Sequence, residues 1–66
     1  MKRKEFDKKY LVETEETYYE LPKQPGFLLV DVNKFREMCK CKNEDDVVDT
    51  SNLSETYKDI IEPLLN

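Results

Sequence analysis

The chain has no histidine, no tryptophan, one glycine and only two cysteines. Without histidine the commonest general acid–base group is missing, and Cys39 and Cys41 have no imidazole to activate them as nucleophiles. A single glycine, Gly26, excludes a glycine-rich phosphate cradle. Thiols two positions apart cannot staple distant parts of a chain. A closed zinc site needs four ligands, which only two copies of Cys39-Lys40-Cys41 together would supply. On a helix these two side chains point in nearly opposite directions, which favours Cys39 in the core and Cys41 at the surface. No apolar run approaches the roughly 18 residues of a membrane span. The basic start Met1-Lys2-Arg3-Lys4 is not followed by the apolar stretch of a secretory signal. The expectation is a soluble, cytoplasmic, non-enzymatic protein with no cofactor, no metal and no membrane partner.

What the chain does have is charge. Charged residues make up 39% of the 66, while Leu, Ile, Val and Phe number 17. That apolar share is enough for a fold, but only for a thin core. The charge alternates along the sequence. Residues 1–9 hold five bases and two acids, and residues 10–20 hold four glutamates and no base. Residues 21–43 again hold five bases against two acids, whereas residues 44–66 hold seven acids against Lys58 alone. An acidic final third argues against a general polyanion binder. Direct nucleic-acid contact through residues 1–9 with Lys34, Arg36, Lys40 and Lys42 is accordingly the weaker reading.

The spacing predicts an α+β domain. Gly26-Phe27-Leu28-Leu29-Val30-Asp31-Val32 is the one sustained apolar stretch and reads as a central strand, with Leu29 in the core. Residues 10–21 are rich in Tyr, Thr and Val and read as its partner strand, bulged or broken near Glu15-Glu16. A helix from about Glu5 to Tyr19 is the rival reading. Pro22-Lys23-Gln24-Pro25-Gly26 forms the hairpin loop between 10–21 and 27–32; its two prolines also fit a PxxP ligand, although a turn already explains them. Asp31 or Asn33 caps a helix over about 33–42, with Phe35, Met38 and Cys39 on one stripe. Val47-Val48 plugs the core edge. Asn52 with Glu55 opens a helix over about 53–62, which carries Leu53, Tyr57, Ile60, Ile61, Leu64 and Leu65 on one face. Pro63 ends it and leaves Leu64 and Leu65 as an apolar tail. Residues 1–9 are expected as a basic flexible arm ahead of a single domain over 10–66.

Function is expected to be binding. The candidate partner-binding residues are Glu13, Glu15, Glu16, Tyr18 and Glu20, then Glu44, Asp45, Asp46 and Asp49, and finally Leu64 and Leu65. The acidic run 44–49 lacks the alternating ligands and turn glycine of a calcium loop. The leading expectation is a small acidic module that inhibits or adapts a larger protein, in particular a nucleic-acid-binding one whose basic cleft the carboxylates would fill as phosphates do. In size, composition and lack of catalytic residues the chain is similar to small phage- or mobile-element-encoded regulators. The alternative is a structural subunit or homodimer assembled through the C-terminal amphipathic helix.

Overall fold

The computed structural model describes residues 1–65 and is an α+β domain. A three-stranded antiparallel sheet of order β1-β2-β3 is covered on one face by three helices. The first helix, α1 (Arg3–Tyr10), occupies the segment expected to be a flexible arm. Its leading amides have no side-chain cap. Instead the Arg3 and Lys4 N–H groups donate to the carbonyls of Asp46 (2.8 Å) and Glu44 (2.9 Å), and the Val48 N–H donates to the carbonyl of Met1 (2.9 Å). Lys2 and Val47 complete this lock as an isolated antiparallel bridge. A distant loop thus satisfies the amides that a helix start leaves open. Phe6, the one large apolar residue of the segment, is fully buried against Tyr10, Tyr19 and Phe35 at centroid distances of 4.6, 5.9 and 4.9 Å.

The expected single strand over 10–21 is two strands. β1 (Leu11–Glu13) and β2 (Thr17–Lys23) are separated by a turn at 14–16, the place marked by Glu15-Glu16. β2 pairs with β3 (Gly26–Asp31) in a register that sets Tyr18 opposite Asp31, Glu20 opposite Leu29 and Lys23 opposite Gly26. The connection is therefore only Gln24-Pro25, with a cis peptide bond between them, and Gly26 has no positive φ. Pro22 lies within β2, where its missing N–H is harmless. β1 pairs only with residues 17–19 and does not reach it.

α2 (Val32–Met38) starts at Asp31, whose carboxylate accepts from the Lys34 N–H at 3.1 Å. It ends earlier than expected, in a Schellman turn. The Cys41 N–H donates to the Arg36 carbonyl (3.0 Å) and the Lys40 N–H to that of Glu37 (3.3 Å), with Lys40 at φ 49°. This corrects the placement of the thiols. Cys41 lies beyond the helix, where the turn folds it back inward, so both cysteines are fully buried. α3 (Glu55–Ile61) runs into a 3-10 turn at Glu62–Leu65 that contains Pro63. Its N-cap is Ser54 rather than Asn52, with no side-chain bond. Ile60, Ile61 and Leu53 enter the core, and Leu64 and Leu65 pack half-buried against it. The expected apolar tail is therefore part of the globule, and so is the helix face proposed for a homodimer.

Candidate functional site

Side chains alternate across a strand, so the register defines two faces. One carries Tyr19, Leu21 and Val30, all buried under the helices. The other carries Val12, Tyr18, Glu20, Pro22, Phe27, Leu29 and Asp31, with the cross-strand pairs Glu20–Leu29 and Pro22–Phe27. None of these seven is fully buried. Phe27 is 65% exposed and Leu29 61%, two large apolar side chains on the same edge strand. Leu29 is thus not a core residue. Sixty-six residues supply too few helices to cover both faces of a sheet, and the apolar run alone could not show which of its side chains face outward.

The expected acidic residues divide into two groups. Glu13, Glu15 and Glu16 are exposed at the β1–β2 turn, and Tyr18 and Glu20 are half-exposed on the bare face beside them. Of those five, Tyr18 and Glu20 belong to the bare face by the register. Glu15 and Glu16 lie in the turn at its Tyr18 end, and Glu13, opposite Thr17, alternates to the other side. Most of the second group is engaged in holding the fold. Asp45 pairs with Lys4 at 3.0 Å, which lowers its pKa and raises that of the lysine. The Asp46 carboxylate accepts from the Asn43 N–H (2.9 Å) and the Asp49 carboxylate from the Ser51 N–H (2.9 Å). That backbone bond lowers the pKa of Asp49. Glu44 is exposed, but its carbonyl caps α1. Leu64 and Leu65 lie on the core and join neither group.

On the helical side lies a polar cluster that composition did not reveal. The Tyr19 hydroxyl donates to Asp7 and accepts from Arg36 Nε (3.3 Å), while Arg36 and Arg3 flank the Asp7 carboxylate at 3.5 and 3.6 Å. Arg3 is 8% exposed, and its Nε and Nη1 have no hydrogen-bond partner among the described residues. Burial, reinforced by Asp7, pushes the Tyr19 hydroxyl up to about 12. Burial likewise takes the Cys39 thiol to about 12 and raises that of Cys41, against the pull of Arg3 and Arg36. Thiols shifted this way are poor nucleophiles. An open cleft of about 440 Å³ next to Arg36 is lined by Glu37, Lys40, Lys42, Asn43 and Asp46, a mixture of both signs.

Among the described residues, no group of three or more Cys, Asp or Glu is placed to hold a metal ion, and no helix is long and apolar enough to cross a membrane. The fold and its exposed surface define a small α+β protein with a one-sided core and a bare, acid-rimmed sheet face. Comparison with known proteins finds no matching family model, no matching curated protein and no matching solved structure.

Proposed function

We propose that this protein is a small binding module that docks through the bare face of its sheet onto a larger protein and thereby inhibits or adapts it. The observation that carries the reading is the exposure of Phe27 and Leu29 beside Tyr18 and Pro22. Contiguous apolar surface ringed by polar groups is typical of an interaction site, and aromatic residues are enriched at interface centres. The rim sets the chemistry of the partner. Glu20 and Asp31 lie on the face beside Leu29 and Tyr18, and Glu15 and Glu16 lie in the turn beyond that end. The complementary surface is therefore an apolar recess bordered on that side by Lys or Arg. A nucleic-acid-binding protein with a basic cleft fits that description. In this version of mimicry the residues 13–20 carry the charge, because most of the carboxylates at 44–49 are engaged within the fold. The protein acts in the cytoplasm, where two free thiols stay reduced.

The test is capture from a cell extract on the immobilised full chain, in parallel with a Phe27→Ser/Leu29→Ser variant and a Glu15→Lys/Glu16→Lys variant. A partner held by the native chain should be lost about tenfold or more, roughly 1.4 kcal/mol, with the first variant. It should also weaken with the second and with rising salt. A partner retained equally by all three proteins would refute the docking face. Retention that ignores salt and the glutamate changes would refute the acidic rim.

A further inference from the structure

We propose that the free edge of β3 pairs antiparallel with β3 of a second copy of this chain, about a two-fold axis at Leu28. The inference goes beyond the docking face and does not rest on it, because the edge lies in the plane of the sheet and the face stands above that plane.

The two-residue connection makes Lys23 and Gly26 the closing, mutually bonded pair of the β2–β3 hairpin. Antiparallel strands alternate between bonded and non-bonded pairs. Residues 26, 28 and 30 therefore turn their backbone groups toward β2, and Phe27, Leu29 and Asp31 turn theirs outward. Among the described residues β2 is the sole sheet partner of β3, so those outward groups face no described strand. Proteins commonly blunt such an edge with a lysine, a proline or a bulge, but β3 carries no charge, proline or bulge from Gly26 to Val30.

The composition of the strip favours a second copy. Residues 24–30 form the longest uncharged run in a chain that is 39% charged, so two copies meet there without placing like charges opposite one another. With the axis at Leu28, Phe27 of each copy lies opposite Leu29 of the other in a bonded pair, and the two Leu28 side chains meet at the centre. Apolar cross-strand pairs of this kind stabilise a sheet. The ends are complementary as well. Asp31 of one copy comes beside the Lys23-Gln24-Pro25 turn of the other, acid against base. An edge of six residues is about 20 Å long and buries less than the roughly 1,200–2,000 Å² of a standard interface. The dimer is accordingly concentration-dependent rather than obligate. It would also merge two bare faces into one six-stranded surface with the Phe27 and Leu29 patches side by side.

The test combines sedimentation of the purified full chain over a wide concentration range with amide hydrogen exchange. A monomer–dimer equilibrium is expected, with exchange at Leu29 slowing about tenfold or more from the dilute to the concentrated sample while Leu28 stays protected in both. Leu29→Pro removes the outward N–H and leaves the β2–β3 ladder intact, so it should be a folded monomer. Should that variant fail to fold, Leu29→Lys keeps the backbone and charges the strip, and it too should abolish the dimer. A native chain that stays monomeric throughout, a dimer that survives either folded variant, or Leu29 exchange independent of concentration would each overturn the proposal.

Discussion

Lys40 holds a φ of 49° at the position of its Schellman turn where glycine is the usual occupant. A side chain there is strained against its own carbonyl, at a cost of about 1 kcal/mol. Lys40→Gly relieves that strain at the price of a more flexible unfolded chain. Urea titration should show a net gain of up to about 1 kcal/mol, whereas Lys40→Val should lose stability. The same turn explains why the thiols were only half legible. Periodicity located Phe35 and Cys39 on one stripe, but it also carried the helix past Lys40 and so turned Cys41 outward. Stopping a helix at a lysine leaves no compositional mark. Nor does the Asp7–Tyr19–Arg36 cluster, which joins residues from α1, β2 and α2 that no local spacing connects.

Among the elements, α1 departs furthest from expectation. A segment with five bases and one large apolar residue looks like a solvated terminus. It folds because Phe6 fills the centre of the aromatic core and because the carbonyls of residues 44 and 46 cap its first turn. Phe6→Ala should cost about 3–5 kcal/mol, while Leu29→Ala should stay within about 0.5 kcal/mol of the native chain. Chemical denaturation of the two variants side by side measures both. Equal losses would mean that the inward and outward faces had been assigned wrongly. The β2–β3 hairpin, the Asp31 cap and the apolar face of α3 were readable because each depends on residues close in sequence. What covers the sheet, and on which side, depends on docking between distant segments. The proposed docking face divides along the same line: Glu13, Glu15 and Glu16 are exposed as their charge suggests, whereas the exposure of Phe27 and Leu29 is hidden within a run that reads as interior.

For the molecule as a whole, the buried acid–base groups set an alkaline limit. Cys39 moves from 9.0 to about 12 on folding and Tyr19 from 10.0 to about 12, both chiefly through burial. Below pH 9 both groups keep their protons in the folded and unfolded states, and their contribution is complete. Above it the unfolded chain releases protons that the folded chain retains. Stability therefore falls as pH rises toward 12, by about 1.4 kcal/mol per pH unit for each group within its window. The urea midpoint should drop steadily from pH 9 upward, and Tyr19→Phe should flatten the part above pH 10. An unchanged midpoint at pH 11 would contradict the burial of both groups. The lock between α1 and residues 44–48 has a kinetic consequence as well. The β2–β3 hairpin closes across two residues, whereas joining Arg3 to Asp46 closes a loop of roughly forty. Local contacts of the first kind form early and cheaply, and pairings of the second kind are slow. The β2–β3 pairing is therefore expected to form before the contacts between α1 and residues 44–48 close, which leaves the sheet incompletely covered in the interval.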